Sequence, residues 1–461
     1  MMFRAPQPAV SSILGKRATL REHLRGYSWA ALRQDAQAAI QVAMLDLPQG
    51  MGYAMVAGLS LQAGTMCSAV AAIIGALLGS SRFTVFGPTN ATAFLVFSSF
   101  AAVGVEQRLA LMPLFILLVG FLLIGGAFAG LADMSRFVSR PVIVAYVTGA
   151  AMLIILAQVP QIVGAAPIPA TAALDGCWPG PRTLPGIAWR AFRSLADVHG
   201  MSLALAGLTA IVFTTLRWYR PGWPATAIAL VMTSVAGTAA AAAGFHVDTF
   251  ADATFSVANL FPAWPSLRSP HMHDDVLRLL GPAASVALLA TLEGAAMSRT
   301  LAIPGDPRPD ATRDMLALGV ANVGCAFLAG MPCSASLTRS ALNARSGATS
   351  PVAALLNGVF CLAGALLVGG LVAFIPRAAL ACLVAAVGCD LIRPRDIRAC
   401  VGTTGADALS FGGTLMAMLF VPLHHAIFVG VGLSLLLWLR KASRSGLHAF
   451  PVESSQRCVD R

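Results

Sequence analysis

Few ionisable side chains fall deep inside the long apolar stretches of this sequence, and Asp46, Glu293 and Arg339 stand out among them. A charge placed in hydrocarbon costs several kcal/mol, so each is a functional candidate by default. Arg339 keeps its charge under all conditions, and its guanidinium suits pairing either with an anion or with a buried carboxylate such as Glu293. Ser336 and Ser340 lie one helical turn apart around it, with Thr338 on a different side. Hydroxyls at a helix start either donate to an oxyanion or bond back to their own helix. Asp46, Gln49 and Tyr53 are spaced i, i+3, i+7 and share one helix face, which is expected to look into a cavity. The alternatives for Asp46 are a carboxylate at the membrane interface or one kept neutral by burial. Thr89, Asn90 and Ala91 follow Gly87-Pro88 and would offer backbone N–H groups to an anion.

The elements that must hold these residues are transmembrane helices. The chain is 57% hydrophobic and only 11% charged, against roughly 25% charged in an ordinary soluble domain. Apolar runs of transmembrane length recur along nearly the whole chain. In the first half, spans are expected near 37–57, 63–79, 87–103, 111–131, 141–158, 198–216 and 224–243. In the second half they are expected near 279–298, 314–330, 334–345, 351–370, 373–390, 406–421 and 423–440. The fold class is all-α integral membrane, about fourteen spans in a seven-plus-seven arrangement. An odd number of spans per half requires any repeat between the halves to be inverted. In both halves the third span is short and begins at a helix-breaking cluster, Phe86-Gly87-Pro88-Thr89-Asn90 and Gly330-Met331-Pro332-Cys333-Ser334. Matched interruptions of this kind point to a transporter's binding site, because each half-helix turns unpaired N–H groups and a positive dipole end toward the midplane.

The net charge of +11 lies in short clusters between apolar spans, where it sets topology rather than binding nucleic acid. Arg136, Arg140, Arg217, Arg220, Arg393, Arg395 and Arg398 fall in loops expected on the cytoplasmic side, which puts both termini in the cytoplasm and the chain in the cytoplasmic membrane. Residues 1–36 read as a cytoplasmic lead-in without a signal peptide, 37–440 as the transport domain and 441–461 as a short cytoplasmic tail. The nine cysteines show no paired spacing and read as small core residues.

The stretch Leu47-Pro48-Gln49-Gly50-Met51-Gly52-Tyr53-Ala54 resembles the first-span signature of the SulP sulfate permeases, also called solute carrier family 26. Gly79-Ser80-Ser81-Arg82 before Gly87-Pro88 is similar to that family's entry to its third span, and Arg140-Pro141 with Val147-Thr148-Gly149-Ala150 to its fifth. The run Ala321-Asn322, Gly330-Met331-Pro332, Ser336-Leu337-Thr338-Arg339-Ser340, Asn343 and Ser346-Gly347-Ala348 resembles its ninth and tenth. The resemblance implies a uracil-permease-like fold in which a core of spans 1–4 and 8–11 moves against a gate of spans 5–7 and 12–14. Substrate would sit between the starts of spans 3 and 10, with sulfate, bicarbonate, chloride or dicarboxylates carried by symport or exchange. It places Gln49 and Tyr53 at cavity positions and Glu293 at the family's cation-coupling or charge-balancing carboxylate. Sodium-coupled relatives carry a hydroxyl residue one turn later, where this chain has Met297, so a proton is expected in preference to sodium. Asp46 stands where the family generally has an apolar or small residue. Family members also carry a STAS domain after the last span, to which dimer contacts are attributed, whereas residues 441–461 show no strand–helix pattern.

A nucleobase permease of the same fold would show a second-half carboxylate pair and lacks the Thr338-Arg339-Ser340 pattern. A channel-like anion pathway is a further alternative. A membrane enzyme would need clustered catalytic acids at an interface, and Asp46 and Glu293 are too few and too deep. His271, His273, Asp274 and Asp275 read as a solvated loop rather than a metal site, and His424-His425 as an interface marker. No nucleotide-binding loop, catalytic Ser/His/Asp set or metal-binding helix motif appears, and no cofactor is expected.

Overall fold

The computed structural model describes residues 27–100, 103–132, 139–165, 184–220, 223–250, 272–301, 309–421 and 423–444. The N-terminal lead-in as far as residue 26, His271 and the tail beyond residue 444 lie outside the described residues. The first half runs α1 (Trp29–Ala57), α2 (Leu61–Leu78), β1 (Phe86–Gly87), α3 (Asn90–Phe100), α4 (Val105–Phe128), α5 (Arg140–Ile162), α6 (Leu184–Ser194), α7 (Gly200–Tyr219) and α8 (Ala225–Ala242). The second runs α9 (Met272–Thr300), α10 (Ala311–Phe327), β2 (Ser334–Ala335), α11 (Leu337–Arg345), α12 (Val352–Val368), α13 (Arg377–Leu391), α14 (Pro394–Thr403), α15 (Gly405–Phe420) and α16 (Leu423–Arg444). Among the described residues, α2, α4, α5, α7, α8 and α9 are long and apolar enough to cross a membrane, and α3, α12, α15 and α16 contain shorter apolar stretches.

The helices pack as a seven-plus-seven inverted repeat. α10 lies along α4 as α2 lies along α12, and α9 contacts α4 as α1 contacts α12. On the other side of the molecule, α15 packs on α5 as α7 packs on α13, and α7 pairs with α8 as α15 pairs with α16. Small residues allow the tight crossings, as is common where helices associate in lipid. A Cβ on Gly319 would sit 2.9 Å from the Gly120 carbonyl, and one on Gly358 would sit 2.6 Å from the Ala69 carbonyl, at the symmetry-related crossing. β1 and β2 pair antiparallel across the pseudo-axis, Phe86 opposite Ala335 and Gly87 opposite Ser334.

Helix ends are set locally. Ser28 caps α1 by accepting from the Ala31 N–H, and Gly58 ends it in the left-handed region at φ 70°, donating to Ala54 and Met55 carbonyls. Near the start of α1 the buried Asp35 accepts from Tyr27, from both backbone and hydroxyl of Thr349 and from Ser350, tying α1 to the loop before α12. Burial beside that carboxylate raises the Tyr27 phenol above its ordinary range.

The structure adds two helices that hydropathy alone does not separate from loops. α6 and α14 follow the fifth and twelfth spans and are therefore counterparts in the repeat. Each is a short amphipathic segment, with Trp189 and Phe192 exposed on α6. His273, Asp274 and Asp275 belong to the first turn of α9 and not to a loop, where the two acids suit the helix's positive end.

Candidate functional site

α3 and α11 are half-helices of eleven and nine residues, about 16 and 14 Å long against a hydrocarbon core about 30 Å thick. Their starts are knitted together by the short β pair. The Ser336 N–H donates to the Val85 carbonyl at 3.1 Å, and the Val85 N–H donates to the Ser340 hydroxyl at 2.9 Å. Ser336 caps α11 through its hydroxyl, which accepts from the Arg339 N–H at 3.4 Å. Thr89 and Thr92 cap α3 reciprocally, each hydroxyl accepting from the other's backbone N–H, and the Ala91 N–H donates to its neighbour Asn90 Oδ1 at 2.9 Å. The N–H groups of Thr89 and Ala91, expected to be open to an anion, are thus engaged within their own turn.

Beside these starts lies a cavity of about 180 Å³. Tyr53, Thr89, Asn90, Glu293, Ser336 and Thr338 line it on one side, Ile143, Val144, Val147 and Thr148 of α5 form the facing wall, and Arg393 and Asp396 lie at its edge. Glu293 accepts from the Thr89 hydroxyl at 3.2 Å. Met297 faces the same space one turn later.

Arg339, Asp46, Gln49 and Ala91 do not line the cavity. Arg339 is wholly buried, and its guanidinium passes beneath Gly87, where an added Cβ would stand 2.5 Å from Nη1. One Nη donates to the Pro88 carbonyl and the other forms an ion pair with Asp46, itself 0% exposed. Asp46 also accepts from Ser68 Oγ at 2.6 Å and from Asn357 Nδ2 at 3.1 Å. These contacts correct two expectations. The buried partner of Arg339 is Asp46 rather than Glu293, because the guanidinium reaches toward α1 and α2 and away from α9. Asp46 is buried in an ion pair and does not look into the cavity. Gln49 is buried with its Oε1 unpartnered among the described residues.

Ser68, Asn357, Arg393 and Asp396 are participants that sequence reasoning passed over. Asn357 left a signal, as a polar side chain within the apolar run Val352–Val368. Arg393 reads in the sequence only as a loop charge, although Asp396 beside it lines the cavity and accepts from Arg140 at 2.8 Å.

A second cavity of about 260 Å³ follows the same helix interface, bounded by Met55, Val56 and Phe97 on one side and by Leu156, Gln158, Gln161 and Arg190 on the other. Burial lowers the Arg190 guanidinium from its usual range. Between the two spaces, α3 carries Phe94 and α5 carries Ala150, Ala151, Leu153 and Ile154, none more than 1% exposed.

The sequence model of the sulfate permease family matches residues 32–414. The chain belongs to that family. A putative sulfate transporter of Bacillus subtilis (strain 168) is 22% identical over 427 residues, covering 91% of this chain and 76% of the relative. A probable sulfate transporter of Mycobacterium tuberculosis is 28% identical over 425 residues, covering 91% and 72%. The transmembrane domain of a cyanobacterium bicarbonate transporter, BicA, superposes with a TM-score of 0.70 at 18% identity, over 89% of this chain and 98% of that one. A murine solute carrier 26 anion transporter in the inward-facing state gives 0.79 at 17% identity, over 95% and 74%. For this sulfate permease family member, those likenesses show the fold, and the cavity beside α3 and α11 is where it presents polar groups.

Proposed function

We propose that this family member is a secondary transporter of small inorganic or carboxylate anions, coupled to protons through Glu293. The observation that carries the reading is that Glu293 stands inside the cavity at the meeting of two half-helix starts, while the nearest buried cation is already paired with Asp46. An ionised Glu293 opposes an anion there, and a protonated one admits it, so proton and anion travel together. Met297 has no oxygen to offer a hard cation, which favours a proton over sodium. Anion exchange through the same site is the second mode, with the departing anion resetting the site in place of the proton.

In this reading α1–α4 with α9–α12 form the moving core and the remaining helices the gate, and the two cavities are the two ends of an elevator-type path. The cavity at Glu293 opens on the arginine-rich side, which the positive-inside rule makes cytoplasmic, with both termini on that side. The relatives' names point to sulfate and bicarbonate as first substrates to test. The test is uptake into proteoliposomes from a panel of sulfate, bicarbonate, chloride, fumarate and succinate, under imposed pH and sodium gradients. An inward pH gradient is expected to drive accumulation of at least one of them. Accumulation that follows sodium and ignores pH would overturn the coupling.

A further inference from the structure

The Asp46–Arg339 pair is sealed from the cavity; Ser68 and Asn357 also donate to Asp46, and the Pro88 carbonyl accepts from the second Nη of Arg339. Its net charge is zero. At the half-helix starts, attraction for an anion is therefore left to two helix N-termini, each equivalent to about half a unit charge. An ionised Glu293 cancels about as much as the two together supply.

We propose that Asp46 sets the proton coupling: by neutralising Arg339 it makes anion binding depend on a protonated Glu293. This rests on the reading of Glu293 as the coupling acid. Without Asp46, the guanidinium charge would balance an ionised Glu293, and an anion could bind with no proton. Asp46 touches no substrate and acts through Arg339, so it is a positioning residue for charge.

The groups around both acids are few. Tyr53 on α1, Tyr146 on α5 and Arg339 on α11 interact with Glu293. Arg393 and Asp396 lie at the cavity edge, with Arg140 paired to Asp396. Arg339, Tyr53 and Cys361 interact with Asp46. All except Asp46 and Arg339 are unchanged in the variants below, and their charges cancel from the comparison.

The experiment measures initial uptake of whichever panel anion the wild type accumulates, at about pH 6 and about pH 8, a range within which a buried carboxylate can titrate. Asp46→Asn keeps the side-chain shape and removes the charge. Its acid-to-alkaline uptake ratio is expected to fall at least about fivefold from the wild-type value, with uptake retained at the alkaline pH. The double variant Asp46→Asn/Arg339→Gln removes both charges, leaves their sum unchanged and is expected to keep the wild-type ratio. It also serves if the single variant does not fold. Folded Asp46→Asn with a wild-type ratio, or a double variant that loses it, overturns the role of Asp46 and leaves Glu293 coupling intact. A wild type with no acid preference instead sinks the coupling reading itself.

Discussion

Each half of the chain sets one acid against the half-helix of the other half. Asp46 on the first span meets Arg339 on the tenth, and Glu293 on the eighth meets Thr89 at the start of the third. The inverted repeat makes the helix pairs equivalent, first span with tenth and eighth with third, yet the surroundings of the two acids differ. The Asp46 contact is closed and ionic, whereas Glu293 accepts from the Thr89 hydroxyl and faces a cavity. In the proposed reading the repeat is divided into a fixed charge pair and a changeable acid.

Exchanging the changeable acid should have the largest effect on transport. Glu293→Gln mimics the protonated state and still accepts from Thr89. It is expected to lose pH-gradient-driven accumulation while retaining anion binding, measured by titration calorimetry in detergent beside proteoliposome uptake. Retained pH-driven accumulation would make Glu293 structural. Next in size is the fixed pair. Arg339→Gln strands the Asp46 carboxylate in a sealed site and is expected to cost about 3–5 kcal/mol, read as a loss of folded protein and a lower Tm. Adding Asp46→Asn should recover most of that stability. A smaller effect is expected for Gly87→Ala, which puts a methyl group 2.5 Å from Nη1. Forcing the guanidinium aside should cost about 1–3 kcal/mol, and an unchanged Tm would show that Arg339 has room to move.

The spans were legible because hydropathy sets them one at a time. The fifth, expected at 141–158, runs Arg140–Ile162, and the thirteenth, expected at 406–421, runs Gly405–Phe420. The half-helices announced themselves through Gly87-Pro88 and Met331-Pro332. α6 and α14 were hidden because a short surface helix has neither the length nor the uniform apolarity of a span. The pairing of Arg339 was hidden for a different reason. Asp46 lies 293 positions away, and Glu293 is the nearer acid in sequence. Helical spacing relates residues on one helix but carries no information about which buried carboxylate on another helix a guanidinium will reach. Only the packing of α1, α2, α11 and α12 decides that.

The smallest expected effect on transport separates charge from packing within the fixed pair. Ser68 donates to Asp46 Oδ1 at 2.6 Å and accepts from Arg339 Nη1 at 3.4 Å, and its hydroxyl lies close to Gly50 on α1. Ser68→Ala keeps the Cβ that packs at this crossing and removes both hydrogen bonds, the shorter to a charged acceptor, so a loss of about 1.5–3 kcal/mol is expected. Asp46 would still hold Arg339 and Asn357. No charge is altered, and if the pair acts through its net charge, the pH profile of uptake should match wild type although the Tm falls. If the pair acts through the exact placement of Arg339, the profile should shift together with the Tm. Measuring both on one variant therefore tells whether the sealed contact governs the open one by charge or by geometry.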